Sequence, residues 1–157
     1  MKVEESYTNI GGGDQSPHTI VIHAMAENIR LDSEYKGIGV GTYYAHNWLQ
    51  EDGTSAHFLL KPRSTKKICW HARGFNTGSI GIEVLVKGTY NYPEFIQKIK
   101  EDWVTHEQYS NLLEMCRGIS DFYGISKIVR HSDLSPNRKH DPGSGFEWDW
   151  FKNEVYI

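Results

Sequence analysis

Short apolar runs alternate along this chain with segments rich in glycine, proline and charged residues. Three of the runs have the length and the β-branched or aliphatic composition of buried strands, namely residues 19–23, Ser79–Val86 and Lys127–Arg130. A further strand is predicted over residues 56–61. The strands mix with predicted helices without strict alternation. This favours an α/β (mixed α+β) fold, in which a central mixed β-sheet carries helices on its faces, and it leaves the strand order open.

The clearest helical pattern lies between Thr105 and Gly124. Thr105 and Gln108 have the spacing of a capping box, and glycine commonly ends a helix because it adopts the left-handed conformation. The apolar residues between them recur on one face at the helical period: Tyr109, Leu112, Leu113, Cys116, Ile119 and Tyr123. Cys116 is therefore expected to be a buried free thiol.

Three further helices are predicted from weaker patterns. They cover residues 41–50, a short stretch within residues 95–103, and a closing segment over residues 146–155. Residues 131–145 contain two prolines and are predicted to form a loop.

Length, charge and cysteine content narrow the class of protein. A chain of 157 residues fits one domain, which we place at residues 19–157 after a flexible lead-in over residues 1–18. The net charge of −3 does not favour nucleic acid or an anionic membrane as a partner. No apolar run approaches the roughly 20 residues that span a bilayer, and the N-terminus lacks a signal-peptide pattern. The two cysteines form no disulfide framework. We therefore expect synthesis in the cytoplasm.

Aromatic residues make up 13% of the chain, which leaves two interpretations open. They can form an aromatic-rich core. They can also line a groove that stacks on sugar rings or peptide stems, because aromatic side chains offer a large contact area at little entropic cost.

Two histidines end predicted strands: His23 follows Ile-Val-Ile, and His131 follows Lys-Ile-Val-Arg. A single histidine at a strand end is more often structural, but two of them with a nearby carboxylate favour a metal site. The ten-residue step from His131 to Asp141 includes a proline and can double back to place the carboxylate beside the imidazole. Two imidazoles and one carboxylate leave one tetrahedral position open, which is the pattern of catalytic zinc.

Five stretches of the chain, in this order, resemble the type 2 N-acetylmuramoyl-L-alanine amidases. That family includes small phage lysozyme-type amidases and is related to peptidoglycan recognition proteins. Each stretch is weakly specific alone, but together they span about residues 19–150. They are Ile20-Val21-Ile22-His23, Ser55-Ala56-His57-Phe58, Trp70-His71-Ala72-Arg73-Gly74-Phe75-Asn76, Ser79-Ile80-Gly81-Ile82-Glu83, and His131-Ser132-Asp133 with Lys139-His140-Asp141-Pro142-Gly143.

The resemblance implies a role for several residues. It makes His23, His131 and Asp141 the ligands of a Zn²⁺ cofactor, and it makes Lys139 the cation that stabilises the oxyanion formed when an amide is attacked. It also places His71 and Asn76 at the mouth of the cleft, in contact with the sugar or peptide of the substrate.

Glu83 is the general base that the resemblance implies. Some family members carry a tyrosine in the segment that reads Ser55-Ala56-His57 here, so this chain lacks that tyrosine. Strand alternation places Glu83 opposite the face that carries Ile80 and Ile82. A carboxylate in such an apolar strand should be poorly solvated, which favours proton transfer. The alternative is a structural salt bridge to Arg73 or Arg130.

The implied activity is hydrolysis of the bond between N-acetylmuramic acid and L-alanine in peptidoglycan or muropeptides. We expect a monomer that acts on the bacterial cell wall, in the manner of a phage endolysin, because Gly74-Phe75-Asn76 resembles the small phage enzymes. A cytosolic amidase that recycles muropeptides, a secreted toxin and a non-catalytic peptidoglycan-binding module are the alternatives. The last is disfavoured because all three metal ligands are retained.

Overall fold

A mixed β-sheet organises the part of the chain that this computed structural model describes, which is residues 3–6, 13–28, 43–46, 58–60, 68 and 71–156. Its strands run in the order β1-β3-β4-β5-β2-β6 across the sheet. Strand β2, next to the β6 edge, pairs in parallel with β5 and β6, and the remaining pairs are antiparallel. The strands are β1 (Val3–Ser6), β2 (Thr19–Ala26), β3 (Tyr43–His46), β4 (Phe58–Leu60), β5 (Ser79–Val86) and β6 (Lys127–Arg130).

Two of the parallel strands, β2 and β5, occupy the interior of the molecule. Every residue of β5 is buried, and in β2 only Met25 is partly exposed. Parallel strands that are covered on both faces read as nearly continuous apolar runs rather than as alternating ones. This is why the sequence pattern locates β5 at its observed bounds and finds the first five residues of β2. The edge strand β6, whose Lys127 is exposed, also has the predicted bounds.

Helices cover the sheet, as the predicted α/β (mixed α+β) fold requires. They are α1 (Tyr92–Lys98), α2 (His106–Tyr123), α3 (His131–Leu134) and α4 (Trp148–Val155). The capping box at Thr105 and Gln108 is present, and Gly124 ends α2 in the left-handed conformation with φ 68°. The prediction for this helix is therefore confirmed at both ends.

An apolar core joins one face of the sheet to α2 and α4. Burial raises the pKa of the Cys116 thiol, which is fully enclosed in this core as predicted. The core is formed by Ile20, Ile22, Ile80, Ile82, Val84, Val104, Leu112, Cys116, Ile125, Ile128, Phe146, Trp148, Phe151 and Val155.

Three predicted elements differ from the structure. The helix expected over residues 41–50 is wrong at Tyr43–His46, which form β3 because backbone pairing with β1 and β4 overrides an ambiguous local pattern. Helix α1 begins before residue 95, because Asn91 supplies the N-cap and Pro93 fits the first turn. The loop expected over residues 131–145 opens with the single-turn helix α3, and the N–H of its N-cap residue Arg130 donates a hydrogen bond to the Asp133 carboxylate.

The predicted lead-in, residues 1–18, contains the edge strand β1, which pairs with β3. Gln15 also holds the chain against β5, because its side chain accepts a hydrogen bond from Gly78 N at 2.7 Å and donates one to Ser79 O at 3.1 Å. The boundary between a lead-in and a domain at residue 18 stays a prediction.

Candidate active site

The register of the parallel strands brings three of the predicted site residues together. His23 on β2 is the direct partner of Glu83 on β5, so the two side chains leave the sheet on the same face. On the other side of β2, Ile22 is paired with Arg130, the last residue of β6, and His131 follows at the start of α3. The rings of His23 and His131 consequently lie 4.3 Å apart between centroids.

Asp141 reaches this position because residues 131–145 double back, as the proline spacing predicts. Ser132 N donates a hydrogen bond to Asp141 O at 3.0 Å, which holds the two ends of the segment together. The side chain is held by β2, since Ala24 N donates to Asp141 Oδ2 at 3.2 Å. Gly145 N donates to Ile99 O at 2.8 Å and anchors the end of the segment beyond α1.

The three predicted ligands are buried and converge on one point. Asp141 Oδ2 lies 3.5 Å from His23 Nδ1, and Asp141 Oδ1 lies 3.2 Å from His131 Nδ1. A tetrahedral zinc ion with bonds of about 2.0–2.1 Å separates its ligand atoms by about 3.3–3.4 Å. One atom from each of the three side chains lies within 4.8 Å of the other two. The set therefore fits a metal ion of this size, with one ligand from each residue.

Asp141 is held in its charged form. Burial by itself raises the pKa of this carboxyl group, but the neighbouring imidazoles of His131 and His23 lower the pKa more strongly. The net result is a pKa well below the ordinary value, so Asp141 is an anion throughout the physiological pH range. A buried anion between two imidazoles is the electrostatic environment that a divalent cation requires.

Glu83 lies beside the ligand set and is poorly solvated, as predicted. Its residue is 8% exposed, and its Oε1 lies 3.8 Å from His23 Nδ1. Arg130, one of the two partners considered for a structural salt bridge, instead bonds Asp133 at 2.8 Å and stacks over Trp148. The other, Arg73, is exposed.

Of the two predicted substrate contacts, His71 lies next to the predicted ligand His23, and Asn76 supports His71. His71 Nδ1 is 2.9 Å from His23 Nε2. The side-chain oxygen of Asn76 accepts hydrogen bonds from His71 N at 2.8 Å and Ala72 N at 2.7 Å, and so shapes the turn that carries His71. The motif around His71 thus has a structural function that the sequence did not reveal.

Two cavities meet at the ligand set and share His71, His131 and Lys139. The first has a volume of about 300 Å³ and has apolar and aromatic walls. The second, of about 430 Å³, has a basic wall. The first cavity is also lined by Ala24, Met25, Ala26, Tyr90, Tyr92, Phe95, Ile96 and His140. The second is also lined by Ala72, Arg73, Asn76 and Arg138.

The sequence assigned no role to three residues near the site. Ser79 Oγ lies 2.9 Å from His71 Nε2, Gly81 lies against the His71 ring, and Arg138 lines the second cavity. The aromatic wall was anticipated only as one possible use of a high aromatic content. The aromatic cluster over residues 90–95, Tyr-Asn-Tyr-Pro-Glu-Phe, was the local signal for that wall.

Some predicted positions lie outside the described residues, including Ser55-Ala56-His57 and Trp70. The position at which some family members carry a tyrosine is one of them. Among the helices that the structure describes, none combines the length and apolar character needed to cross a membrane.

A sequence profile of the family described as N-acetylmuramoyl-L-alanine amidase matches residues 13–144. The chain is 29% identical to the 1,6-anhydro-N-acetylmuramyl-L-alanine amidase AmpD of Escherichia coli (strain K12). That alignment covers 88% of this chain and 82% of AmpD.

Solved structures share the fold. A selenomethionine derivative of AmpD superposes with a TM-score of 0.66 at 21% identity, covering 96% of this chain and 92% of that one. The endolysin N-acetylmuramoyl-L-alanine amidase LysCS from Clostridium intestinale URNW superposes with a TM-score of 0.62 at 20% identity, covering 97% of this chain and 93% of that one.

Proposed function

The chain belongs to the N-acetylmuramoyl-L-alanine amidase family, and from this premise we propose that it is a zinc-dependent hydrolase. Its substrate is the amide bond between the lactyl group of N-acetylmuramic acid and L-alanine in peptidoglycan or its fragments. The observation that carries the proposal is the buried convergence of His23, His131 and Asp141 at the floor of a cleft, with Glu83 beside them. A module that only binds peptidoglycan does not need three buried metal ligands with a carboxylate beside them.

Zinc is the proposed cofactor, held by His23 Nδ1, His131 Nδ1 and one Asp141 oxygen. Bound there, it supplies Lewis acidity that polarises a substrate carbonyl and makes water more acidic. The mixed nitrogen and oxygen donors and their spacing support zinc, and three protein ligands would leave one position of a tetrahedral ion for water or substrate.

Glu83 is the proposed general base. It accepts the proton of the water whose oxygen adds to the carbonyl carbon, and it returns a proton to the L-alanine nitrogen as the carbon–nitrogen bond breaks. Its burial beside His23 suits both steps, because a poorly solvated carboxylate takes up a proton more readily than an exposed one.

Lys139 is the proposed stabiliser of the negative charge that develops on the carbonyl oxygen. It lines both cavities, as a group that faces the reacting bond must. The aromatic wall that contains Tyr90 and Tyr92 suits a sugar ring. The basic wall that contains Arg73 and Arg138 suits the carboxylates of a stem peptide. His71 lines both cavities, and Asn76 lines the one with the basic wall.

The biological setting has two candidates. An endolysin-like enzyme that attacks the intact wall is the prediction from the sequence, and the fold shared with LysCS is compatible with it. A muropeptide-recycling amidase is favoured by a separate observation, the alignment with AmpD over most of both chains. The monomeric state, the absence of nucleic-acid and membrane partners, and the place of action stay predictions.

Mass spectrometry of reaction products tests the activity and separates the settings. The purified protein is incubated with intact sacculi and, separately, with soluble 1,6-anhydro-muropeptides. We expect release of peptides that begin with L-alanine, with the glycan left uncut. Fast turnover of sacculi supports the lytic role, and turnover confined to soluble fragments supports recycling. No release of such peptides from either substrate contradicts the proposed amidase.

Elemental analysis of the same protein tests the cofactor, with about one zinc expected per chain. Asp141→Ala removes a charged ligand, and zinc affinity should fall by more than about 100-fold, since even partners of metal ligands are worth 10–100-fold. Wild-type turnover in this variant at ordinary zinc concentrations would show that another residue completes the set.

A further inference from the structure

His23 is the end of a chain of hydrogen bonds that runs away from the ligand set. Its Nε2 lies 2.9 Å from His71 Nδ1, and His71 Nε2 lies 2.9 Å from Ser79 Oγ. Ser79 Oγ in turn lies 2.7 Å from the carbonyl oxygen of Phe75 and 3.1 Å from that of Asn76. The chain therefore starts at main-chain carbonyl groups and ends at a metal-binding side chain.

The direction of each hydrogen bond follows from its acceptor. A carbonyl oxygen can only accept, so the single hydroxyl proton of Ser79 goes to Phe75 O. Ser79 Oγ then accepts a hydrogen bond from His71 Nε2–H. A neutral His71 has no proton on Nδ1, so this atom accepts a hydrogen bond from His23 Nε2–H. A neutral His23 consequently bears a bare lone pair on Nδ1, the atom that faces Asp141.

The position of the His71 ring is also built into the fold. Its main-chain N–H is fixed by Asn76, and the ring lies directly over Gly81 on β5. A Cβ atom at residue 81 would lie 2.5 Å from His71 Nδ1, so only glycine leaves room for the ring at this place.

The other imidazole of the ligand set has no such support. His131 Nε2 is buried without a hydrogen-bond partner among the described residues. The relay is thus a particular feature of His23 rather than a general consequence of burying a histidine.

We propose that Ser79 and His71 form a positioning relay, which holds His23 in the tautomer protonated at Nε2 and so presents Nδ1 to the metal. Partners of this kind orient metal ligands and are worth about 10–100-fold in metal affinity. The inference rests on the proposed zinc site and adds to it. His71 acts here through His23, in addition to its predicted contact with substrate.

Two variants of nearly equal size test the relay. Asparagine carries an oxygen at the same bond separation from the main chain as histidine Nδ1, so His71→Asn keeps an acceptor for His23, whereas His71→Leu removes it. Zinc affinity is measured by competition with a chromophoric chelator. We expect about 10–100-fold weaker binding in His71→Leu and recovery of most of this loss in His71→Asn. Ser126→Ala, an exposed serine away from the site, is the control and should bind like the wild type.

A second measurement needs neither metal nor activity. In the metal-free wild type, long-range proton–nitrogen NMR correlations should show His23 protonated at Nε2 and bare at Nδ1. Ser79→Ala and Gly81→Ala, checked for folding by thermal melts, should each populate the other tautomer.

Protonation of Nδ1 in the wild type would overturn the relay, as would equal zinc affinities for His71→Leu and His71→Asn. A wild type that binds no zinc would instead contradict the proposed cofactor and leave the NMR test of the relay in force.

Discussion

The two faces of β2 and β5 differ in what they bury. One face contributes Ile20, Ile22, Ile80 and Ile82 to the apolar core, where they pack with other apolar side chains. The opposite face presents His23 and Glu83 to the cleft, where buried nitrogen and oxygen atoms face one another at 2.9–3.8 Å. The same two strands therefore supply apolar side chains to the core and polar side chains to the candidate active site.

We therefore expect the apolar face and the polar face of these strands to respond differently to substitution. Apolar burial stabilises the fold in proportion to area and packing, whereas buried polar groups contribute little net stability even when well paired. A change in the core should lower stability and leave the activity of each folded molecule intact. A change in the polar cluster should lower activity and leave the fold intact.

Glu83→Gln gives the largest expected effect and tests the polar face. The amide cannot accept the proton of the attacking water, so turnover should fall about 10²–10⁴-fold while zinc content and melting temperature stay close to wild type. The measurement is the amidase rate on a muropeptide beside elemental analysis. Asp133→Asn is the matched carboxylate-to-amide control, because Asp133 faces Arg130.

Two results would change the assignment of Glu83. A near-normal rate would move the general base to another residue, with His71, which lines both cavities, the next candidate. Loss of zinc would mean that Glu83 supports the metal ligands instead of handling the proton.

Leu112→Ala tests the apolar face. Leu112 is fully buried beneath the sheet, and its truncation should lower the free energy of unfolding by about 2–5 kcal/mol. The expected fall in melting temperature is on the order of 10 °C. Leu112→Met keeps the volume and should cost less than about 1.5 kcal/mol. If the turnover per folded, zinc-loaded molecule fell with stability in Leu112→Ala, the separation between the two faces would be wrong.

Lys139→Ala tests the rim where the two cavities meet. Loss of the proposed oxyanion partner should reduce turnover about 10²–10³-fold with zinc retained. The KM should change less than kcat, because the interaction forms mainly in the transition state. Lys100→Ala, which removes an exposed lysine outside both cavities, should leave the rate unchanged. Equal rates for the two variants would remove Lys139 from the mechanism.

Asp133→Asn gives the smallest effect and tests a surface ion pair beside the site. Burial raises the pKa of Asp133, but hydrogen bonds and the charge of Arg130 lower it further, so its pKa lies below the ordinary value. Its stabilising contribution is therefore present above the ordinary carboxyl pKa and is lost as the pH falls through the lowered one. Both partners are about one-third exposed, which limits the contribution to about 0–1 kcal/mol.

Thermal melts of the wild type and Asp133→Asn at two pH values check this small term. The difference between the two proteins should be present at about pH 7 and should vanish at about pH 2. A difference that grows on acidification would reverse the sign and point to a different partner for Asp133.

Local patterns in the sequence determined much of this protein. Apolar runs located β2 and β5, because strands that are covered on both faces leave a continuous signal. A capping box and a glycine delimited α2, since each acts within four residues of the chain. Histidines at two strand ends and a proline-bounded aspartate predicted the three candidate metal ligands, because strand ends meet at one edge of a sheet.

Tertiary structure alone decided the rest. The strand order, and with it the pairing of His23 with Glu83, depends on contacts between segments about 60 residues apart, which local patterns do not encode. Backbone pairing made a strand of Tyr43–His46, where local propensity favoured a helix. The relay from Ser79 through His71 exists because Gly81 leaves space above the sheet, and such space is a property of packing rather than of any pattern along the chain.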